Sequence, residues 1–546
     1  MTKKSNTVEL VSGFGKIKSC GNPHGSRSDN HTPLRGEQQA TQQRLWQRCR
    51  KYGRTLIMQI IHKTDTWPPN AGDYQSCLVL YDDRWNDYCY MTTFHAIFCD
   101  AEGECIEIGD VKIYYSDYDK KRTDTYGKAV AGVIDRNIIQ LGEKFCSLGQ
   151  TLNYYQRLKN NCPDDYLDIL KRLNDIAIDH DLRNKFIEED GVQTSLLRDS
   201  SAEKALNEAE LLLKTNQLLE KDVSFSYFAK VPYNTDRTQL FFDFKKNENL
   251  PYRINALIGK NGVGKTQILS HLAESLSGLT GSVSEKEESF KGKRPPVDKV
   301  ISISYSAFDE FRKRVAEGND YKDNSYAYCG IQSEHGTLSL DELKHNFLKA
   351  LETIRQRGRL ESWKTIMQEL IEKEHLDLIE QTVEGEIDNI HWSSGQYILL
   401  CTMTEVVATI EKESILLFDE PELHLHPNAV ANTLRMLYRL LEEFNSYAIF
   451  ATHSPLIVQE IPSRYVQILS RIDNVLMVRT PTLECFGENV TNITNDIFDV
   501  NGSESNYKTI LNNLSKKMSF EDALEIFNGA LSFNAMIYLK GCYKDE

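Results

Sequence analysis

The segment RINALIGKNGVGKTQILSHLAESL, residues 253–276, decides the fold. Its first six residues are largely apolar and predict a buried strand, and the residues from Gln267 onward have the apolar spacing of a helix. Between them, GKNGVGKT at 259–266 fits the G-x-x-x-x-G-K-[S/T] phosphate-binding pattern. Glycines at these positions let backbone N–H groups turn toward phosphate oxygens, and the following helix adds its N-terminal dipole. The segment therefore predicts a P-loop.

The chemistry of this loop indicates a nucleotide and a divalent cation as ligands. Lys265 can reach the β- and γ-phosphates, and Thr266 can ligate Mg²⁺. We therefore predict ATP and Mg²⁺ as cofactors. The predicted nucleotide-binding residues of the loop are Gly259, Lys260, Asn261, Gly262, Val263, Gly264, Lys265, Thr266 and Gln267.

A second motif, ESILLFDEPELHLHP at 413–427, places two acids after a short apolar strand. Open parallel sheets bind their ligands at the carboxyl ends of strands. Asp419 is therefore predicted to hold Mg²⁺, directly or through water. Glu420 is predicted to be the general base that polarises the attacking water.

Two further motifs complete a set of four. WSSGQ at 392–396 opens a helical run, and its small residues predict a second anion site, with Ser393, Gly395 and Gln396 as nucleotide contacts. ATHSP at 451–455 follows an apolar strand. His453 is predicted to be catalytic, because an imidazole there can contact the γ-phosphate and the attacking water.

These four motifs in this order resemble the ABC-type ATPases: Walker A, signature, Walker B with its glutamate, and switch histidine. The resemblance implies an α/β fold with a central, mostly parallel sheet, an antiparallel β subdomain, a helical lobe and helical insertions. It also implies that Ser393 and Gly395 act on nucleotide bound by a second subunit. One chain carries one set of motifs, so the resemblance implies a head-to-tail dimer with ATP between subunits, or a higher even-numbered oligomer.

The chain departs from that pattern at two places. Most ABC ATPases have a glutamine after the strand that follows Walker A, whereas this chain has YSAFDEF at 305–311. Ser306 or Asp309 could replace the glutamine. The signature begins with Trp392 instead of leucine, and we expect this side chain to pack.

The neighbouring sequence narrows the resemblance. EPELHLHP resembles the soluble branch associated with defence and repair, in which His424 and His426 belong to a dimer-contact loop, although their alternation also suggests a metal pair. OLD-family nucleases share this Walker B form but add a C-terminal Toprim domain with an Asp-x-Asp set. The 93 residues after His453 contain no Asp-x-Asp, so we expect that this chain is not itself a nuclease.

Several flanking segments resemble PtuA, the ATPase family of Septu antiphage systems, and most resemble its retron-associated form. They are residues 86–113, 144–158, 174–179, 195–201, 305–311 and 485–490. The resemblance implies a partner HNH endonuclease, PtuB, which the ATPase controls. For the retron-linked form it also implies a reverse transcriptase and its msDNA product. A RecF-like DNA-repair ATPase, a transporter ATPase subunit and a non-hydrolysing scaffold are the alternatives.

Composition excludes other classes of protein. The chain has 546 residues, 40% of them hydrophobic and 26% charged, which is typical of globular proteins. It has no long apolar run that predicts a membrane span and no apolar signal segment. The twelve cysteines form no Cys-x-x-Cys pair and predict reduced thiols in the cytoplasm without a zinc site.

Charge is unevenly distributed. Residues 1–54 contain 11 Lys and Arg against three acids, or +8, within a chain of net charge −15. This arm is predicted either to be a solvated, partly disordered tail or to contact nucleic acid or an acidic partner.

The pattern along the chain predicts seven regions. They are the basic polar arm at 1–54, an antiparallel β segment of the ATPase lobe at 55–120, a helical insertion at 121–222, the Walker A core at 223–310, a helical lobe at 311–391, the signature, Walker B and histidine core at 392–480, and a helical tail at 481–546.

Overall fold

The computed structural model describes residues 58–63, 74–83, 90–117, 130–216, 223–234, 236–278, 288–291, 294–306, 311, 325–333, 336–381, 393–423, 425–498 and 506–543. Within these residues sixteen strands are numbered in chain order. They are β1 Gln59–Lys63, β2 Cys77–Asp82, β3 Thr93–Cys99, β4 Cys105–Tyr115, β5 Phe145–Gly149, β6 Val223–Ala229, β7 Thr238–Phe244, β8 Ile254–Gly259, β9 Val300–Ser304, β10 Tyr326–Gly330, β11 Gln332–Ser333, β12 Gly336–Thr337, β13 Ile415–Asp419, β14 Tyr447–Thr452, β15 Val466–Ile472 and β16 Val475–Arg479.

Fifteen α-helices lie in the same described residues. They are α1 Leu152–Asn161, α2 Tyr166–Arg172, α3 His180–Phe186, α4 Ser200–Thr215, α5 Lys265–Ser277, α6 Leu340–Gln356, α7 Leu360–Met367, α8 Lys373–Gln381, α9 Ser394–Thr409, α10 Pro427–Glu443, α11 Pro455–Val458, α12 Val490–Phe498, α13 Asn506–Ser515, α14 Phe520–Ile526 and α15 Phe533–Cys542. No helix within the described residues is long and apolar enough to span a membrane.

A seven-stranded sheet forms the centre of the part of the chain that carries the four motifs. Its order is β10-β9-β13-β14-β8-β15-β16, and every neighbouring pair is parallel except β15 and β16. Both faces of the sheet are covered, so strands such as β8 and β13 are buried along their whole length. This is the mostly parallel sheet that the sequence predicts, and β15 and β16 form an antiparallel hairpin at one side of it.

Successive side chains along the strands of this sheet point to opposite faces, and each face packs into its own apolar core. Leu416 and Phe418 of β13 face a core that they share with α6, α7 and α9, whereas Ile415 and Leu417 face the other side. There the β6–β7 hairpin and α5 cover the sheet, with Phe242 of the hairpin buried. This hairpin is the antiparallel β subdomain of the ATPase part.

The structure corrects the predicted place of residues 55–120. Strands β1 to β5 form a separate five-stranded sheet, in which β1 and β2 are parallel and the other pairs antiparallel. This sheet packs against α1, α2 and α4 around its own core, so it is not part of the ATPase lobe. We call residues 58–216 the N-terminal module.

The predicted helical insertion at 121–222 is also corrected, because β5 lies inside it. Phe145–Gly149 is a five-residue run, too short for its periodicity to distinguish strand from helix, and it pairs with β4. Helix α2 ends at Arg172. Asn174 follows in the left-handed conformation, with φ at 52°, and its side-chain amide donates to the carbonyls of Leu141, Gly142 and Phe145.

The predicted helical lobe at 311–391 contains a strand as well. Tyr326–Gly330 forms β10, which extends the central sheet beyond β9. Its five residues lie between polar segments, which gave no strand pattern long enough to recognise. The helices α6, α7 and α8 follow it.

Helix α4 attaches the N-terminal module to the central sheet. Lys204 is buried on this helix, and its Nζ lies 3.0 Å from Asp298 Oδ2 and 2.5 Å from Glu413 Oε2. Burial opposes the charged form, but the two carboxylates raise the pKa of Lys204 above its usual value. Asp298 and Glu413 stand just before β9 and β13, so the attachment is at the amino ends of these strands, opposite the motifs.

Candidate nucleotide-binding site

The P-loop connects β8 to α5 with the geometry that glycine permits. Gly262 and Gly264 have φ values of 80° and 95°, in the region that other residues avoid. A Cβ on Gly259 would lie 2.4 Å from the carbonyl oxygen of Leu469 on the neighbouring strand β15. Gly262 and Gly264 are therefore favoured by their backbone conformation, and Gly259 is favoured because strand β15 approaches it too closely for a side chain.

The other loop residues divide between the core and the surface. Val263 is buried in the core beneath the loop, whereas Lys260 and Asn261 are exposed and Gln267 is half-buried at the start of α5. Exposed Lys260 and Asn261 are accessible to a ligand, and buried Val263 anchors the loop.

Lys265 points its ammonium into the loop itself. It is 6% exposed, and its Nζ donates to the carbonyls of Gly259 at 2.9 Å and Lys260 at 3.4 Å. Burial lowers the pKa of Lys265, while the nearby carboxylates of Glu420, Asp419 and Glu422 act in the opposite direction. A buried cation at a glycine-rich loop is suited to binding phosphate.

Thr266 and Asp419 meet although they come from different motifs. The Thr266 hydroxyl donates to Asp419 Oδ2 at 2.7 Å, and Asp419 is buried at the end of β13. A hydroxyl and a carboxylate are the hard oxygen ligands that Mg²⁺ takes beside phosphate oxygens. These two residues fit the predicted cation and would hold it at the mouth of the P-loop.

Glu420 and His453 also lie together. Glu420 has a left-handed backbone, with φ at 50°, and its amide donates to Ala451 O of β14 at 2.8 Å. Its Oε1 lies 3.2 Å from His453 Nδ1. Because β14 is between β13 and β8 in the sheet, the acids, the histidine and the P-loop share one edge.

Sequence reasoning missed Glu422, which is two residues beyond Glu420. Its Oε1 accepts from the His453 backbone amide at 3.0 Å and from the Thr452 hydroxyl at 2.6 Å. The available signal was a third acid in the same motif. Its partners lie on a neighbouring strand, so the motif alone could not identify them.

Tyr233 was missed for the same reason. It lies in the turn between β6 and β7, and its hydroxyl donates to the carbonyl of Val263 in the P-loop at 2.5 Å. The Arg471 guanidinium stacks on its ring at 4.2 Å from the centroid. An aromatic ring bonded to the P-loop is a candidate surface for a nucleotide base.

The signature segment caps its own helix. The Ser393 hydroxyl accepts from the Gln396 amide, and the Gln396 side chain accepts from the Ser393 amide, so the two form a capping box at α9. Ser393 and Gln396 are exposed and Gly395 is half-buried. The side-chain hydrogen bonds described for Ser393 and Gln396 join them to each other and not to the P-loop. Trp392 lies outside the described residues.

The structure describes one of the two residues predicted to replace the expected glutamine. Ser306 is half-buried after β9, and Asp309 lies outside the described residues. A glutamine from another strand lies beside Ser306. This residue, Gln332, is in β11, which follows β10, and it is 9% exposed. Its Nε2 donates to Ser306 O at 3.2 Å. Gln332 is therefore a third candidate, which sequence reasoning missed because it expected no strand there.

The predicted histidine pair is seen only in part. His426 is exposed, and His424 lies outside the described residues. Within the part of the chain that the structure describes, no group of three or more His, Cys, Asp or Glu is arranged to hold a metal ion.

Comparison with known proteins agrees with this geometry. The family described as "AAA domain, putative AbiEii toxin, Type IV TA system" matches residues 305–459, which include the signature, Asp419, Glu420 and His453. The chain therefore contains an ATPase domain of this type, and its fold is the ABC-type ATPase fold that the sequence predicts.

Two named proteins are similar in sequence. "Protein ea59" of Escherichia phage lambda is 29% identical over 496 residues, covering 84% of this chain and 93% of that protein. "Retron Vc95 probable ATPase" of Vibrio cholerae serotype O1 biovar El Tor is 26% identical over 128 residues, or 21% of this chain and 24% of that protein.

Solved structures of ABC transporter subunits are also similar. The CbiO1 protein of Clostridium perfringens, part of an ABC transporter complex, is 16% identical, covers 55% of this chain and 96% of its own, and has a TM-score of 0.25. The ADP conformation of MJ1267, an ATP-binding cassette of an ABC transporter, is 13% identical, covers 50% and 94%, and has the same TM-score. The sheet order, the P-loop and the matched ATPase domain, and not these likenesses, identify the fold.

Proposed function

We propose that this protein binds and hydrolyses ATP as the regulatory subunit of an antiphage defence complex. The observation that carries the ATPase function is the single edge of the sheet at which Lys265, Thr266, Asp419, Glu420 and His453 stand together. Lys265 would hold the phosphates, and Thr266 and Asp419 would hold Mg²⁺, which neutralises charge on the transferred phosphoryl group. Glu420 would accept a proton from the attacking water.

A complete site requires a second subunit in this proposal. Ser393 is exposed and Gly395 half-buried at the start of α9, and their chain carries one P-loop. We infer that two copies associate head to tail, so that each signature faces the ATP bound by the other copy. Higher even-numbered assemblies can be built from this dimer.

Mixing two inactive variants tests this arrangement directly. Lys265→Ala impairs the P-loop and Ser393→Arg impairs the signature, so neither homodimer has an intact composite site. A mixed dimer has one: the P-loop of the Ser393→Arg chain facing the signature of the Lys265→Ala chain. Phosphate release that recovers on mixing supports action in trans. No recovery, with mixed dimers verified by differential tagging, contradicts it.

The defence role draws on the partial match to a retron ATPase and on the resemblance to PtuA. In this role the ATPase restrains a partner HNH endonuclease, PtuB, and in a retron setting also contacts a reverse transcriptase and msDNA. The experiment expresses the gene with its neighbours and challenges the cells with phage. Protection that requires Glu420 and a neighbouring nuclease gene supports the role. ATP hydrolysis stimulated by DNA alone, without protection, favours a RecF-like repair ATPase.

A further inference from the structure

Glu422 connects the Walker B segment to the turn that carries His453. Its side chain is 9% exposed. One oxygen, Oε1, accepts from the His453 amide at 3.0 Å and the Thr452 hydroxyl at 2.6 Å, and lies 3.4 Å from His453 Nδ1. A single carboxylate oxygen therefore contacts the backbone and the ring of the histidine together.

The turn itself is organised around this carboxylate. The Thr452 hydroxyl, which donates to Glu422, also accepts from the Ser454 amide at 2.9 Å. Ser454 N, Thr452 Oγ1 and Glu422 Oε1 thus form a chain of hydrogen bonds that spans both sides of His453. The His453 side chain is 42% exposed, so contacts of this kind, and not burial, must hold its orientation.

The contacts of the ring determine which nitrogen carries hydrogen. Nδ1 faces two carboxylate oxygens, Glu420 Oε1 at 3.2 Å and Glu422 Oε1 at 3.4 Å. An ionised carboxylate can only accept hydrogen bonds, so Nδ1 carries a proton. In the neutral ring Nε2 is then the acceptor, and in the charged ring it is a second donor.

We propose that Glu422 is a positioning residue for the switch histidine, which fixes the His453 backbone and its Nδ1–H form so that Nε2 is the nitrogen available to substrate. This inference rests on the proposed ATPase function and deepens it. Glu420 shares the contact to Nδ1 but is assigned to the water and is 27% exposed, whereas Glu422 is 9% exposed and hydrogen-bonded to the backbone of the turn. The two acids therefore have different tasks.

Glu422 also stabilises the turn, so a purely structural role must be distinguished from positioning of the His453 ring. The amide oxygen of glutamine can still accept from the His453 amide and the Thr452 hydroxyl, but glutamine lacks the negative charge beside the ring. Alanine removes both. If Glu422 acted only as a structural brace, Glu422→Ala would lower the melting temperature, and its effect on turnover would not depend on His453.

The test measures steady-state ATP hydrolysis for wild type, Glu422→Ala, Glu422→Gln, His453→Ala and the double variant Glu422→Ala/His453→Ala. Glu422→Ala is expected to lower kcat by about tenfold or more with KM within about threefold, because proton-positioning groups act on the chemical step. Glu422→Gln should also lower kcat, but by less than Glu422→Ala does. In the His453→Ala background, Glu422→Ala should cause no further loss, which is the signature of coupled residues.

Four outcomes overturn the inference. They are wild-type kcat in Glu422→Ala, an undiminished effect of Glu422→Ala in the His453→Ala background, a change confined to KM, and wild-type kcat in His453→Ala. If Glu422→Ala does not fold, Glu422→Gln and its double variant with His453→Ala decide the same question. Failure of the proposed function is distinct, because then wild type releases no phosphate or Glu420→Gln releases it at the wild-type rate.

Discussion

The Thr266 hydroxyl and the Asp419 carboxylate are 2.7 Å apart, although 153 residues separate them in the chain. The order of the strands produces this contact. β8, which leads into the P-loop, and β13, which ends at Asp419, both flank β14 in a parallel arrangement. Their carboxyl ends therefore meet, and the hard oxygen atoms of the two motifs converge where a cation can bridge them to phosphate.

Glu420→Gln should abolish turnover while keeping ATP bound. Glutamine preserves the shape of the side chain and removes the base, and loss of a general base costs about 10²–10⁴-fold in rate. With hydrolysis blocked, the ATP-bound dimer should persist, as measured by light scattering with and without ATP. A variant that hydrolyses ATP at the wild-type rate would show that Glu420 is not the base.

Lys265→Ala should weaken ATP binding by about tenfold or more, because it removes the buried cation from the phosphate-binding loop. Lys245→Ala is the control, since Lys245 is an exposed lysine after β7 and is not among the predicted nucleotide-binding residues. Titration with a fluorescent ATP analogue measures both. Equal loss in the two variants would indicate a general charge effect instead of a specific contact by Lys265.

The sequence predicts the site better than it predicts the modules. The P-loop, the Walker B motif and the histidine motif each lie at a strand end, so local pattern is sufficient to place Lys265 and Asp419 at the edge of a parallel sheet. Membership of a core depends instead on contacts between distant segments. No local pattern shows that β1–β5 pack on α1, α2 and α4 instead of on the ATPase sheet.

The same limit explains the residues that sequence reasoning missed. Glu422, Tyr233 and Gln332 each bond to a residue on another strand or loop. Their residue types alone do not distinguish them from surface acids, aromatics and amides.

Lys204→Met should destabilise the protein strongly. The substitution leaves the carboxylates of Asp298 and Glu413, whose side chains are only 12% and 14% exposed, without their cation. Breaking a largely buried ion pair in this way costs about 3–5 kcal/mol. Lys214→Met is the control on the same helix, because Lys214 pairs with Glu210 but is 69% exposed. An exposed pair contributes about 0–1 kcal/mol. Denaturant unfolding that gives equal losses for both would contradict the buried network.

Glu405→Gln should stabilise the protein increasingly as pH rises. Glu405 lies on α9, where burial raises its pKa from 4.5 to about 7 and a hydrogen bond to Asn346 opposes the shift. The stability that the protonated group contributes is complete below 4.5 and is lost as pH rises through 7. Glutamine mimics the protonated form at every pH.

Denaturant unfolding of Glu405→Gln at several pH values checks this sign. The gain over wild type should grow between about pH 5 and pH 7 and then level off, at up to about 1.4 kcal/mol per unit of pKa shift. Glu442→Gln, at an exposed glutamate, is the control and should show no such trend. A gain that falls with rising pH would mean that Glu405 is stabilised as a carboxylate.

Deleting residues 1–54 should weaken nucleic-acid binding and leave ATP hydrolysis unchanged. The arm lies outside the described residues. Its charge of +8, against −23 for the remainder of the chain, favours contact with the phosphates of nucleic acid. Each Lys or Arg that meets a phosphate releases a counterion, and the logarithm of affinity then falls, for each tenfold increase in salt, by about 0.7 per contact on a single strand and about 0.9 per contact on duplex B-DNA. Single-stranded DNA and an RNA–DNA hybrid are the probes, with binding followed by anisotropy across a salt titration.

A full-length variant with its eleven arm Lys and Arg changed to Gln separates the effect of charge from the effect of length. Its binding should match that of the deletion. An unchanged salt slope in both would assign the nucleic-acid contact, if there is one, to the body or to another subunit.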